Sequence, residues 1–146
     1  MVLLAMDQPE RARVQFNRAL DLGESAALYN AIAVAYDVSG DHATAQAYYR
    51  VALELEPNNL AAKSNLGLSY ALAGAHDSAI KVLKAAVADP RAKLAHRRML
   101  ATAYALAGDR QMAAQVGGPG FDEAAAREVL KRYSGGERLH AAGGSP

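Results

Sequence analysis

The sequence has no cysteine and no tryptophan, and aromatic residues make up only 6% of its 146 positions. The lack of cysteine excludes disulfides, thiolate metal ligands and a cysteine nucleophile. Runs of Val, Ile and Thr, which are typical of strands, are also missing. No apolar stretch approaches the roughly 18 residues that indicate a membrane-spanning helix. Residues 1–6 are apolar, but the stretch is too short for a signal peptide and lacks its basic start.

The charge is nearly balanced, with 16 basic and 15 acidic side chains and a formal net charge of +1. Because a nucleic-acid partner usually requires a basic patch, we expect no nucleic acid to bind. Hydrophobic residues make up 51% of the chain, and many of them are alanine. Alanine is the best helix former, and its small side chain lets helices approach closely. The composition therefore favours a single all-α domain of closely packed helices.

An internal repeat with a period of 34 residues is the strongest pattern in the sequence. The phrase Ala-Leu-Ala-Gly at positions 71–74 recurs at 105–108, and one tyrosine and one glycine recur at the same interval: Tyr36, Tyr70, Tyr104, Gly40, Gly74 and Gly108. A helix–turn–helix unit of this period is the tetratricopeptide repeat (TPR), which the sequence resembles. This resemblance implies a right-handed superhelical solenoid of antiparallel helix pairs. Another alanine-rich helical bundle is the alternative, but a bundle would not require tyrosines and glycines in one shared register.

The register divides the chain into a partial repeat at 1–25 and repeats at 26–59, 60–93 and 94–120. Small residues are expected where the two helices of one repeat cross: Ala33, Gly67, Ala101, Ala45, Ala79 and Ala113. The recurring glycines suit the left-handed end of a first helix. Aspartates follow near the start of each second helix, where a carboxylate suits free N–H groups: Asp41, Asp77 and Asp109. Pro57 and Pro90 are expected to stop second helices.

The two ends of the array are irregular. The glycine-rich stretch 117–120 is expected to break the last second helix early, and a helix over 122–133, with Asp122 as its cap, is expected to cover the open end of the core. The tail at 134–146 is rich in glycine and small residues and is predicted to be disordered. At the front the array begins within a repeat, with residues 1–6 as a remnant of its first helix. We therefore expect either a piece of a longer protein or a start that lies upstream.

The stretch from Asn65 to Tyr133 resembles the TadD family, lipoproteins of the tight-adherence (Flp) pilus assembly system of bacteria. The resemblance is carried by the phrase Asn-Leu-Gly-Leu at 65–68, both Ala-Leu-Ala-Gly phrases, Ala-Asp-Pro at 88–90, and the ending Asp-Glu-Ala-Ala-Ala at 122–126. Two features depart from the family. Its members begin with a signal peptide and a lipidated cysteine, which this sequence lacks, and Met99 stands where an asparagine is common.

The resemblance implies a periplasmic protein held at the outer membrane by a lipid anchor that is missing from this chain. It also implies a role as a pilotin or assembly factor for the secretin pore of the pilus machine. Without the resemblance, a cytoplasmic protein remains the alternative. A generic structural or oligomerisation module of a larger complex, with possible self-association, is the alternative function.

The first helix of each repeat lines the concave face of such a solenoid, so partner binding is expected there. The inward positions that we expect to be exposed are Asn30, Val34, Asp37, Val38, Ser64, Asn65, Leu68, Leu72, Arg98, Met99, Thr102 and Leu106. Of these, the residues predicted to contact a protein or peptide segment are Asn30, Val34, Asp37, Asn65, Leu68, Leu72, Arg98 and Thr102. The asparagine amides both donate and accept hydrogen bonds, and the apolar side chains suit a helix or an extended segment. The alternative is that these residues only line a solvated groove or cover a neighbouring helix.

A clamp for a terminal carboxylate is disfavoured, because Ala95 and Met99 stand where basic residues would be expected. The basic run from Lys93 to Arg98 is interpreted as a solvated face, with an acidic partner as the alternative. The four histidines, His42, His76, His96 and His140, lack metal-ligand spacing, and the glycine-rich stretch at 117–120 lacks the Lys and Ser/Thr of a phosphate loop. We therefore expect neither an enzyme nor a bound metal or cofactor.

Overall fold

The computed structural model describes residues 9–134, and every regular element in that range is a helix. The helices are α1 Pro9–Leu20, α2 Ala26–Val38, α3 His42–Leu55, α4 Leu60–Leu72, α5 His76–Val87, α6 Leu94–Leu106, α7 Arg110–Gly117 and α8 Glu123–Ser134. The all-α prediction is confirmed. The expected remnant helix at 1–6 and all but the first residue of the tail predicted to be disordered, 134–146, lie outside the described residues. That first residue, Ser134, is the last residue of α8. None of the described helices is long and apolar enough to cross a membrane.

Short polar side chains begin most of the helices. The side chains of Ser25, Asp41, Asn59, Asp109 and Asp122 each accept a hydrogen bond from a backbone N–H three residues later. Such a cap satisfies an amide that has no partner inside the helix. At the start of α5 the capping position is an alanine, and the acidic residue lies within the first turn of the helix. An aspartate there still interacts favourably with the positive end of the helix dipole.

Each first helix ends in the same way, which explains why tyrosine and glycine recur together. Gly40, Gly74 and Gly108 have φ angles of 87°, 85° and 87°, a left-handed conformation that side chains disfavour. The residue after each glycine donates its N–H to the carbonyl oxygen of the tyrosine five positions earlier, over 2.9 Å. This is the hydrogen bond of a Schellman motif. The three first helices therefore end in one geometry, and the second helices leave them in one direction.

The two helices of each repeat pack closely where small residues were expected. Gly67 in α4 faces Leu83 in α5, and a β carbon added at Gly67 would lie 2.5 Å from the γ carbon of that leucine. Ala33 and Ala101, at the equivalent positions of the other repeats, are fully buried. Close packing at these sites confirms that small residues stand at the crossing points.

The first helices also contact one another along the array, α2 with α4 and α4 with α6. Each second helix packs against the first helix of the following repeat, as α3 does against α4 and α5 against α6. Since the first helices lie side by side, they form a continuous row. This row is the inner, concave surface of the solenoid, and the second helices form its outer layer.

The C-terminal helix takes a position that the sequence did not indicate. As expected, α7 ends early, at Gly117, after 8 residues. The chain then reverses, and α8 contacts both α6 and α2. A helix that only covered the open end of the array would contact the last repeat alone. Because α2 and α6 are the first and last members of the concave row, α8 extends across the concave side.

Candidate partner-binding groove

The concave groove is formed by α2, α4 and α6, whose equivalent residues lie 34 positions apart and so stand side by side. Three rows of such residues cross the groove. The polar row consists of Asn30, Ser64 and Arg98. The central row consists of Val34, Leu68 and Thr102, and the apolar row consists of Val38, Leu72 and Leu106. The groove therefore changes from polar to apolar along the direction of its helices.

The polar row contains groups whose hydrogen-bonding capacity is unused. Asn65, beside Ser64 on α4, donates its side-chain N–H to Oδ1 of Asn30 over 3.0 Å, which links α2 to α4. The Oγ of Ser64 and the Nε of Arg98 are buried and have no hydrogen-bond partner within the described part of the chain. Buried polar atoms are nearly always paired in folded proteins. These two atoms therefore mark the point of the groove where an acceptor from another molecule would be favourable.

The central row is less accessible than expected. Leu68 and Thr102 are both fully buried, so the expectation that they are exposed is wrong. Thr102 turns its hydroxyl back to the carbonyl oxygen of Arg98 over 2.7 Å, inside its own helix. Leu68 belongs to a cluster of contacting apolar side chains, and Val129 and Leu130 of α8 pack against the same cluster. Val34 is half-buried and completes the row on α2.

The apolar row opens to solvent toward the C-terminal end of the array. Val38 is buried, Leu72 is half-buried, and Leu106 is 41% exposed. Four further positions expected to be exposed are buried: Ser64, Asn65, Met99 and Val38. The accessible part of the groove is therefore smaller than expected. Among the residues predicted to bind a partner, Asn30, Val34, Leu72 and Arg98 keep partly exposed side chains.

Asp37 was expected to face the groove, and this expectation is wrong because its side chain points into the interface between two repeats. Its carboxylate is fully buried and contacts three side chains. It accepts hydrogen bonds from the hydroxyl of Tyr49 over 2.9 Å and from that of Ser69 over 2.7 Å, and Nδ1 of His42 lies 2.8 Å from Oδ1. Burying a carboxylate is costly unless it is hydrogen-bonded. Asp37 therefore holds α2, α3 and α4 together and is not available to a partner.

The sequence contained one signal for this cluster. At the position of Asp37 the other two repeats carry Ala71 and Ala105. An acid in a register otherwise occupied by a small apolar residue indicates a buried polar interaction. Its partners Tyr49 and Ser69 come from two other helices and share no motif with it, so they could not be named before the fold was known.

The aspartate, histidine and serine of this cluster do not form a nucleophilic triad. In a triad the histidine stands between the serine and the aspartate. Here Ser69 and His42 both approach the same oxygen of Asp37. Elsewhere in the described residues there is no group of three or more His, Cys, Asp or Glu side chains that could hold a metal ion.

A second polar contact ties two loops together at the edge of the array. Arg91 forms a salt bridge with Asp89 over 2.7 Å and donates to the backbone carbonyl oxygen of Asn58 over 2.5 Å. The hydrogen bonds from Arg91 hold the pKa of Asp89 well below its usual range. The contact joins the loop before α4 to the loop before α6 and so helps fix the spacing of successive repeats.

Comparisons with known proteins agree with this architecture. Residues 39–104 match the tetratricopeptide repeat family, and no curated protein matches the sequence. The solved structure of MamA superposes with a TM-score of 0.67 at 21% identity, covering 89% of this chain and 73% of that chain. YrrB, described as a TPR protein with an unusual peptide-binding site, superposes with a TM-score of 0.67 at 21% identity, covering 89% and 70%. The repeat register, the family match over residues 39–104 and the shared solenoid architecture show that the chain has the tetratricopeptide-repeat fold.

Proposed function

We propose that this chain is a scaffold that holds a segment of a protein partner in its concave groove. The observation that carries the proposal is the pair of unused polar atoms, Ser64 Oγ and Arg98 Nε, on the groove wall. The partly exposed apolar row that ends at Leu106 lies about two helical turns farther along the groove, beyond the central row. A partner that supplies one hydrogen-bond acceptor and several apolar side chains would satisfy both features. The chain shares its fold with YrrB, which is described as a TPR protein with an unusual peptide-binding site, and this supports a peptide segment as the partner.

We further propose that the partner is the secretin of a bacterial Tad/Flp pilus machine, and that the chain acts as its assembly factor or pilotin. The support is the resemblance of residues 65–133 to the TadD family, including the short last repeat and the helix that follows it. The same resemblance supports a periplasmic location at the outer membrane, with a lipid anchor supplied outside this sequence.

Isothermal titration of the full chain with the terminal segment of the secretin tests the proposal. Arg98→Met removes the guanidinium at the groove wall and keeps much of its apolar stem. If the partner supplies an acceptor to Arg98, the loss of one hydrogen bond to a charged group, about 1.5–3 kcal/mol, should weaken binding roughly 10- to 100-fold. Arg97→Met is the matched control, because Arg97 is the exposed neighbour of Arg98 on the same helix.

Equal affinities for the two arginine variants and the wild type would contradict binding at the groove wall. A wild-type chain that fails to bind the secretin segment would exclude that partner. An upstream lipid-attachment cysteine encoded beside pilus genes would support the family assignment independently.

Self-association is the second candidate function. Val14 and Leu22, on and just after α1, are 51% and 92% exposed, so they offer apolar contacts to another copy. Light scattering over a range of concentrations separates the two candidates. A strictly monomeric species at high concentration would argue against self-association.

A further inference from the structure

The helix α8 is itself an occupant of the concave groove. It contacts α6 and α2, which are the two ends of the concave row. Its half-buried Val129 and Leu130 pack against the apolar cluster that contains Leu68, the middle residue of the central row. Ala126 is buried as well. These three residues have the i, i+3, i+4 spacing that places side chains on one face of a helix.

The charged side chains on the polar face of α8 form ion pairs with one another. Arg127 pairs with Glu123 over 3.1 Å, and Lys131 pairs with Glu128 over 2.9 Å, both within the helix. Residues 123–131 therefore combine an apolar face directed at the groove with a self-contained charged face directed away. This is the pattern of an amphipathic helix bound in a groove.

The fit of α8 to the groove is incomplete. A pocket of about 520 Å³, partly open to solvent, lies between α8 and the α6–α7 hairpin. It is lined by Leu106 and Ala113 on one side and by Phe121 and Leu130 on the other. In addition, Ser64 Oγ and Arg98 Nε lack hydrogen-bond partners in the described structure even though α8 is docked. Packing voids and unpaired polar groups both weaken an association.

We infer that α8 occupies the groove reversibly and that the partner displaces it. The partner segment is an amphipathic helix with the apolar spacing of residues 126, 129 and 130. This inference deepens the proposed function and rests on the groove being the binding site. The partner helix also carries a carboxylate or amide oxygen that reaches Ser64 and Arg98, which α8 does not provide. Such a helix replaces α8 because it makes the same apolar contacts and adds the missing hydrogen bond.

A fluorescent peptide with the sequence of residues 121–134, added to the full-length chain, tests this inference by fluorescence anisotropy. The tethered α8 competes at a high effective concentration, in the millimolar range for short tethers, so the wild type should bind the peptide weakly. Leu130→Glu places a charge on the docked face of the chain's own α8 and so weakens its competition for the groove. The affinity of this variant chain for the peptide should therefore be at least 10-fold higher than that of the wild type. Ala124→Glu puts the same charge at an exposed position of the same helix and should leave the affinity unchanged.

Far-UV circular dichroism confirms that each variant keeps its helices. Equal peptide affinities for Leu130→Glu and Ala124→Glu would overturn the inference.

Hydrogen exchange on the wild type gives a second result that does not depend on any variant. The amides of α8 should exchange as a group at least 10-fold faster than those of α4 and α6. Exchange of α8 at the rate of α6 would show that it opens only when the array unfolds, and would also overturn the inference. Neither measurement uses the secretin segment. A failure of that partner to bind therefore leaves the α8 result interpretable, and the two failures can be distinguished.

Discussion

The stability of the interface between the first and second complete repeats should depend strongly on the buried carboxylate of Asp37. Asp37→Ala removes the acceptor of the hydrogen bonds from Tyr49 and Ser69 and the contact with His42. Each lost hydrogen bond costs about 1 kcal/mol net, and buried groups that lose their acceptor add a further cost. The free energy of unfolding should therefore fall by about 3 kcal/mol. For a chain of this size the loss corresponds to a fall in the unfolding midpoint of roughly 10 °C.

Repacking the interface should recover part of that loss. In the variant Asp37→Ala, Tyr49→Phe, Ser69→Ala, both hydroxyls that donate to the carboxylate are gone, so neither is left without this acceptor. Replacing both partners of a hydrogen bond by apolar groups is often nearly neutral, whereas removing one of them is not. His42, the third contact of the carboxylate, stays in place, and its side chain is 22% exposed, so water can replace the carboxylate. The third repeat already has alanine at the place of Ser69, and two repeats have alanine at the place of Asp37. The triple variant should therefore be more stable than Asp37→Ala alone.

Thermal and urea unfolding, followed by circular dichroism, measure these differences. Asp77→Ala, at an exposed aspartate in the first turn of α5, is the control for loss of a carboxylate. The reasoning would be refuted if Asp37→Ala unfolded at the wild-type midpoint. It would also be refuted if the triple variant had a lower free energy of unfolding than Asp37→Ala. Because a solenoid is stabilised between neighbouring repeats, hydrogen exchange should show the largest loss of protection in α2 to α4.

Two further predictions concern packing and charge. Gly67→Ala should lower the free energy of unfolding by about 1–3 kcal/mol, since the new β carbon would meet Leu83 at 2.5 Å; an unchanged denaturation midpoint would show that the two helices can separate at no cost. Asp89→Asn should lower the unfolding temperature at pH 7. Arg91 lowers the pKa of Asp89 in the folded chain below the unfolded value of about 3.9. The stability that the Asp89–Arg91 interaction contributes is therefore complete above the unfolded pKa and is lost as the pH falls toward the folded pKa. The difference between Asp89→Asn and the wild type should therefore be constant from about pH 5 to 7 and narrow below about pH 4, and an equal difference at about pH 2.5 would contradict the role of Arg91.

The sequence predicted the helical layout well because the signals for it are local. The recurring tyrosine and glycine mark one Schellman motif per repeat, and Asp41, Asp109 and Asp122 cap helices within three residues of their own positions. Side-chain exposure in the groove was predicted less well because it depends on distant contacts. Leu68 is buried in a cluster against which Val129 and Leu130 of α8, more than 60 positions away, are packed. Nothing near Leu68 in the sequence indicates that α8 packs against this cluster.

The position of α8 follows from the length of the helix before it. The second helices α3 and α5 contain 14 and 12 residues, whereas α7 contains 8. At 1.5 Å per residue, α7 is shorter than α5 by about 6 Å, roughly one turn. A full-length α7 would carry the chain past α6 and allow the next helix to stack at the end of the array.

The turn after α7 is held by contact between a glycine and an aromatic ring. Gly117 is buried, and a β carbon there would overlap the side chain of Phe121. The glycine therefore lets Phe121 fold back onto the end of α7, so the chain reverses one turn early and α8 enters the concave side. The residues that end the repeat array are thus also the residues that direct a helix into the groove. Termination of the array and occupation of the groove have one structural cause, and a change at Gly117 should alter both together.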